Sequence, residues 1–538
     1  MIKALQLLLL FLLLSLSISA GEDVLRFRLY LTDKHQVQPT EINSKLSSKS
    51  LDRRFKQNIP LDSTDVPVYN GYLDSLKGLG MNILTHSRWM NSVVISVSDS
   101  SKLDLLANFA FIKSIQLVWM NPSVKKLGVK RSPVRKDKFR MDSLSFYGRA
   151  ETQLEMLGLD ALHQAGYKGE GVTIALIDAG FYGVDTSSWF KDLNLLAARD
   201  FIYPPSNIYN GHSHGAAVLS LLATKEPYQL IGSAPDAAYC LLRSEDVSTE
   251  FPIEEDYWVA AAEFADSMGV DIIHSSLGYT EFDIPSLSYK KSDLDGRTAF
   301  ISQAAAIAAS KGMLIVVSAG NDGESAWRKI SMPADSKDVL SVGSVQSDLI
   351  RSTFSSVGPT ADGRIKPDVM AMGHAVSYVS SVGVLTNGYG TSFSSPLVSG
   401  MAACLWNALP NLKSTQLKQM ILESSDRFTN PDSLYGYGIP NAQRLWLSAS
   451  NIVSNKQAGL FYCYTSAANT ILHVVRFSPQ QNPVRLVIYN TFGMKIIQTD
   501  MTSSTTEVNI ALLPNSLYFV DFVESGIRKA TQKFIIQR

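Results

Sequence analysis

Four short segments of this 538-residue chain place chemistry-bearing side chains where backbone geometry can aim them. Asp178 closes the apolar run Val172-Thr173-Ile174-Ala175-Leu176-Ile177 and precedes Ala179-Gly180. A carboxylate at the carboxyl end of a buried parallel strand either caps the next helix or orients a base. Gly211-His212-Ser213-His214-Gly215-Ala216-Ala217-Val218 reads as a loop turning into an apolar helix, with two histidines in small-residue surroundings. As His-x-His it offers half a metal site, yet no His-Glu-x-x-His or nearby acidic triplet supplies further ligands. Ser392 lies in Gly390-Thr391-Ser392-Phe393-Ser394-Ser395-Pro396, ahead of a small and apolar run suited to a buried helix. Proline belongs in the first turn of a helix, so Ser392 falls at the N-terminus, where free N–H groups and the dipole favour negative charge. Such a serine is either an ordinary cap or a nucleophile that forms an oxyanion. Asn321, in Ser318-Ala319-Gly320-Asn321-Asp322-Gly323, is either a turn residue or a neutral donor to that oxyanion, worth ~10²–10³ in turnover. Ser394 stands where the strand-turn-helix elbow Gly-x-Ser-x-Gly needs its second glycine, which excludes that motif.

The elements that must position these residues alternate. Apolar runs at 172–177, 238–242, 270–273, 313–318 and 339–342 predict buried strands, and 253–268 and 300–311 predict helices. That alternation predicts a doubly wound α/β unit with a parallel sheet and its functional residues at strand carboxyl ends. Before it, 24–124 reads as a small α+β unit, followed by 125–140, which carries eight basic residues against one acid, Asp137. After about residue 450, short strands at 472–475, 484–489, 495–498, 507–510 and 517–523 predict a small β-sandwich.

Composition narrows the function. Charged residues make up 18% and apolar ones 45%, as in a folded globular protein. Lys plus Arg (49) equals Asp plus Glu (49), so no global basic field draws the chain onto nucleic acid. Cys240, Cys404 and Cys463 are too few and too scattered for a disulfide framework or a zinc knuckle, and read as buried thiols. Residues 1–20 have the basic start, Leu/Phe run and small-residue end of a signal peptide, and the apolar run is shorter than the ~20 residues of a spanning helix.

The order Asp178, His214, Asn321, Ser392 is the one in which subtilisin-like (S8) serine proteases supply acid, base, oxyanion donor and nucleophile. Residues 150–448 resemble that family through Ile177-Asp178-Ala179-Gly180, His214-Gly215-Ala216-Ala217-Val218, Ser276-Leu277-Gly278, Ala319-Gly320-Asn321 and Gly390-Thr391-Ser392-Phe393-Ser394-Ser395-Pro396. Further support comes from Phe354-Ser355-Ser356-Val357-Gly358-Pro359, Lys366-Pro367-Asp368-Val369 and Gly436-Tyr437-Gly438-Ile439-Pro440-Asn441-Ala442. The resemblance implies a subtilisin-like doubly wound parallel sheet and an Asp178–His214–Ser392 triad with Asn321 at the oxyanion. It makes Ser276, Leu277, Gly278, Ser318, Ala319 and Gly320 the edge segments that bind a peptide backbone. It implies no required cofactor or catalytic metal. A structural Ca2+ is common in the family, but its irregular sites leave no motif. The chain departs from the family at Ala179, at Ala216-Ala217 and at Phe393-Ser394, without losing a catalytic atom.

Residues 21–125 resemble the family's inhibitory propeptide, a partner that occupies the cleft until cleaved in or after the basic region 126–150. Residues 449–538 resemble a C-terminal sorting domain of type IX secretion, through Asn482-Pro483-Val484-Arg485-Leu486-Val487-Ile488-Tyr489-Asn490, Phe492-Gly493-Met494-Lys495 and the basic, apolar end at Arg538. The expected architecture is therefore signal peptide 1–20, propeptide-like domain 21–125, linker 126–150, peptidase domain 151–448 and sorting domain 449–538. The expected function is a secreted or cell-surface serine endopeptidase acting on proteins or peptides and handled by outer-membrane secretion machinery. An inactive subtilisin-fold binding or adhesion protein is the alternative, and an esterase with the same triad is a third.

Overall fold

The computed structural model describes residues 24–35, 46–98, 102–106, 108–121, 145–449, 461–465, 470–476, 483–501 and 505–536. The leader 1–20 and the basic segment 125–140 lie outside the described residues.

A seven-stranded sheet runs in the order Val369–Met372, Leu340–Val345, Leu314–Ser318, Ile272–Ser275, Thr173–Asp178, Ala238–Arg243, Leu195–Asp200. Every pairing within it is parallel. All six residues of Thr173–Asp178 are buried, because helices cover both faces of a parallel sheet. Alternate side chains serve different layers. Ile174 and Leu176 join the core that holds Leu397, Val398 and Met401 of the helix Thr391–Ala408. Ala175 and Ile177 join the core that holds Trp258, Ala262 and Ala265 of the helix Ile253–Met268. From Thr173–Asp178 the chain lays its next two strands to one side and the remaining four to the other. This reversal opens a crevice at the strand carboxyl ends, and Asp178 stands at it. The edge strand Leu195–Asp200, mostly exposed, and the hairpin His374–Val379 with Leu385–Tyr389 have no counterpart among the strands predicted from sequence.

The N-terminal unit is a four-stranded antiparallel sheet, ordered Asn82–Ser87, Ser92–Val97, Leu25–Leu31, Ile112–Met120, with the helices Ser48–Gln57 and Asn70–Gly78. Leu25–Leu31 alternates by the two-residue period of a strand. Phe27, Leu29 and Leu31 fill the unit's own core, while Arg28 is buried on the opposite face, against the helix Ile253–Met268. Four arginines of this unit meet four carboxylates of that helix: Arg28 on Asp256 and Glu255, Arg53 and Arg54 on Asp266, Arg88 on Asp266 and Glu263. Arg28 grips Asp256 with two bonds of 2.8 and 2.6 Å and lies 3.5 Å over the Phe300 ring.

In the C-terminal segment a three-stranded and a four-stranded antiparallel sheet share one apolar core that includes Phe461, Leu472, Leu486, Val520 and Phe522. The three cysteines are free and buried. Among the described residues, no helix is long and apolar enough to cross a membrane.

Candidate active site

The fold brings Asp178, His214, Asn321 and Ser392 to the crevice beside Thr173–Asp178. His214 begins the helix His214–Ala223, and its Nδ1 donates to the 1% exposed carboxylate of Asp178 at 2.8 Å to Oδ1 and 3.0 Å to Oδ2. Their approach depends on glycine. A Cβ on Gly215 would lie 2.6 Å from Gly180 O and 3.0 Å from Asp178 Cβ, and one on Gly180 would lie 2.5 Å from His212 N. The backbone N–H of Ala179 donates to Asp178 Oδ1 at 2.7 Å. Burial pulls the His214 imidazolium down, while the charge and hydrogen bond of Asp178 outweigh it and hold the pKa up at about 9. His214 keeps 28% of its side chain open, toward the cleft.

His212 has a different task. Its Nδ1 accepts from the His214 backbone N–H at 3.3 Å, at the helix start. Burial, then the neighbouring His214, lowers its pKa, which keeps that nitrogen free to accept. Among the described residues no group of three or more His, Cys, Asp or Glu is placed to hold a metal ion.

Ser392 is the second residue of the helix Thr391–Ala408. Its hydroxyl donates to Ser276 O at 3.4 Å, so attack by way of His214 requires that long bond to be given up. Pro396 sits in the second turn, one turn deeper than the sequence reading places it. A proline there cannot bond the carbonyl four residues back, which is Ser392 O. Ser276 Oγ donates to that carbonyl at 3.3 Å instead. Ser276 is in turn 2.8 Å from His274 Nε2, and His274 Nδ1 is 2.8 Å from Ser399 Oγ. Burial presses the His274 pKa down to about 3, so a neutral imidazole ties the first turns of the nucleophile helix to the sheet. A histidine inside the apolar run 270–273 and its continuation gave no sequence signal for this role.

Asn321 is oriented by Thr391, another contribution the sequence reading did not assign. Its Oδ1 accepts from Thr391 N at 2.8 Å and from Thr391 Oγ1 at 3.1 Å. With the oxygen so occupied, the Nδ2 amide is the donor left for the cleft. Phe393 turns away from the nucleophile, with its ring 4.9 Å from that of Tyr378 and against Gly388.

The cleft has a volume of about 340 Å³ and is lined by His214, Asn321 and Ser392 together with Ser276, Leu277, Gly278, Ser318 and Gly320. Ala319 is fully buried behind this wall. Ala179, His212, Val247, Glu245, Glu250, Asp322 and Ser331 complete the lining. Burial, reinforced by Asp178, pushes the Glu245 carboxyl up to about 7.

Residues 467–537 match the Secretion system C-terminal sorting domain, which points to export, and residues 26–135 match the Peptidase S8 propeptide domain of Bacteroidota. The fold is similar to that of the epidermin leader peptide processing serine protease of Staphylococcus aureus, with a TM-score of 0.53 at 17% identity over 80% of this chain and 99% of that one. In sequence, the chain is 31% identical to Subtilisin DY of Bacillus licheniformis over 54% of its own length and 96% of that protein. It is 29% identical to Subtilisin E of Bacillus subtilis (strain 168) over 53% of its length and 68% of that protein. Residues 169–438, half of the chain and the part that carries the whole crevice, match the Subtilase family (Peptidase S8), and the protein belongs to that family.

Proposed function

We propose that this subtilase is an exported serine endopeptidase in which Asp178, His214 and Ser392 form a working triad. The observation that carries the proposal is the 2.8 Å bond from His214 Nδ1 to buried Asp178, in one cleft with Ser392 and Asn321. Asp178 fixes the tautomer that leaves Nε2 to accept a proton. His214 takes the Ser392 hydroxyl proton as Oγ attacks the peptide carbonyl, and the negative charge passes to the carbonyl oxygen. Asn321 Nδ2 and the Ser392 backbone N–H, at the positive end of its helix, stabilise that oxyanion. The protonated His214 then gives its proton to the leaving amine. Water hydrolyses the acyl-enzyme by the same steps in reverse order. In this reading the reaction requires no cofactor or catalytic metal. The segments Ser276-Leu277-Gly278 and Ser318-Ala319-Gly320 hold the substrate as an added strand.

In this reading residues 21–125 form the inhibitory propeptide and are cut off in or after the region 126–150. Domain 449–538 hands the protein to outer-membrane secretion machinery, and the product acts outside the cell or on its surface. The test is cleavage of casein by the full chain, wild type beside Ser392→Ala, with mass spectrometry of substrate and enzyme. Loss of both casein cleavage and self-processing in Ser392→Ala is expected. Equal cleavage by the two would exclude Ser392 as the nucleophile.

A further inference from the structure

Two hydroxyls in the cleft wall have no part in the triad. Ser318 and Ser331 are each 4% exposed, and both line the cleft that holds Ser392. Neither Oγ has a hydrogen-bond partner among the described residues. Ser276, on the same lining, is by contrast engaged, with its Oγ on Ser392 O and His274 Nε2. A hydroxyl shut away from solvent costs stability unless a partner answers it. For Ser318 and Ser331 the one direction left open is the cleft itself.

The backbone brings both hydroxyls to one gap. Ser318 ends the strand Leu314–Ser318, and by the two-residue period Ser318 and Gly320 face the cleft while Ala319 is buried behind them. Ser331 ties the two walls together. Its N–H donates to Ala319 O at 3.1 Å, and its neighbour Met332 exchanges bonds of 2.9 and 3.1 Å with Tyr279, the residue after Gly278. The Ser331 hydroxyl then fills the space between two glycines. A Cβ on Gly278 would lie 2.1 Å from Ser331 Oγ, and one on Gly320 would lie 3.1 Å from it. Ser331 therefore closes the bottom of the gap between Ser276-Leu277-Gly278 and Ser318-Ala319-Gly320, and Asn321 and Ser392 border its mouth.

Building on the serine-peptidase reading, we infer that Ser318 and Ser331 make this gap a pocket for a short, neutral, polar side chain, such as that of serine or asparagine, on the residue whose carbonyl Ser392 attacks. The Cα of that residue is one bond from the reacting carbon, so with the carbonyl between Ser392 and Asn321 its side chain enters the gap they border. A seated side chain keeps water from both hydroxyls. A hydroxyl or amide group returns the lost hydrogen bonds, whereas an apolar group of the same shape leaves two polar atoms unanswered. Long and aromatic side chains meet Ser331 at the bottom, and an acidic one meets the carboxylates of Glu245 and Asp322 on the same lining.

The test uses internally quenched peptides that differ only in the residue before the scissile bond: serine against 2-aminobutyrate, asparagine against leucine, and separately phenylalanine and lysine. Each of the two pairs keeps the shape and removes the hydrogen-bonding group. The processed wild-type enzyme is expected to cleave the polar member of each pair with a kcat/KM at least about tenfold higher. Ser318→Ala and Ser331→Ala are expected to bring those ratios toward one, and Ser331→Gly to raise kcat/KM for the phenylalanine peptide by opening the bottom of the gap. Wild-type ratios near or below one, or faster cleavage of the lysine or phenylalanine peptide than of the asparagine one, overturn the inference; if that cleavage depends on Ser392, the peptidase reading stands. Ratios unchanged in both alanine variants overturn the assignment to these two hydroxyls. No cleavage of any peptide, by an enzyme that also fails to react with a serine-directed fluorophosphonate, overturns the peptidase reading and this inference with it.

Discussion

Replacing Arg28 by methionine tests whether the N-terminal unit is held by paired buried charge. In the precursor kept uncut by Ser392→Ala, Arg28 makes its two bonds to Asp256, a third to Pro252 O at 3.0 Å, and lies 3.6 Å from Glu255. Both ends of the ion pair are almost fully buried. Removing one partner of such a pair leaves an uncompensated buried charge, at about 3–5 kcal/mol. At 1.4 kcal/mol per factor of ten, local opening should become roughly 10²- to 10⁴-fold more frequent. Amide hydrogen exchange reads this directly, as faster exchange in Leu25–Leu31 and Ile253–Met268 with little change in distant strands such as Leu340–Val345. Asp256→Leu alone should behave similarly. The double variant Arg28→Met with Asp256→Leu should recover most of the protection, because an apolar pair needs no counter-charge. The penalty should also depend on pH. Burial already pushes Glu255 up to about 7, and Asp256 is raised by burial against the pull of Arg28. Without Arg28 these carboxyls take up protons as pH falls, so the single variant should lose more at pH 8 than at pH 5. Unchanged exchange in Arg28→Met, or a double variant as open as the two single effects combined, would refute the argument.

Other perturbations probe the site. Because His214 acts as a base only when neutral and its pKa is held up at about 9, kcat/KM should climb with pH and level off near that value. A flat profile between pH 6 and 9 would contradict the Asp178 contribution, and Asp178→Asn should lower kcat by ~10⁴. Asn321→Ala should reduce kcat by ~10²–10³ with little change in KM, as measured by steady-state kinetics on a fixed peptide. Ser276→Ala leaves Ser392 O and His274 Nε2 each without a present partner, so denaturant unfolding should show a loss of about 1–3 kcal/mol. An unaltered unfolding midpoint would mean that the His274 network holds nothing in place.

Five of the seven central strands were legible because they are buried on both faces and read as continuous apolar runs, whereas Val369–Met372, just as buried, was not predicted. Predicted helix 253–268 coincides with Ile253–Met268. Leu195–Asp200 was not legible, since an exposed edge strand carries no apolar signature. The candidate residues Asp178, His214, Asn321 and Ser392 were findable from type and position because backbone ends aim them. The residues that aim them in turn were not. Thr391, His274 and Ser276 act through contacts between segments far apart in sequence, and the alternation of Arg26-Phe27-Arg28-Leu29-Tyr30 looks like an ordinary solvated strand face. Burial of Arg28 follows from what docks on that face, which a local pattern does not record. The position of Pro396 shows the same limit, because a proline deep in a helix becomes tolerable only when a distant hydroxyl takes over the orphaned carbonyl.

The charged docking face on the helix Ile253–Met268 also determines what would remain if the N-terminal unit is cut off as proposed. A core-like apolar contact would uncover a sticky patch on the matured protein. Here the arginines would leave behind Glu255, Asp256, Glu263 and Asp266, groups that water solvates readily and that repel one another's kind on neighbouring molecules. Separation would therefore exchange buried ion pairs for hydrated ions and uncover an acidic surface. Redocking would have to strip that hydration again and would weaken with ionic strength. The interface is suited to a single use: firm while water is excluded, and hard to remake after water has entered.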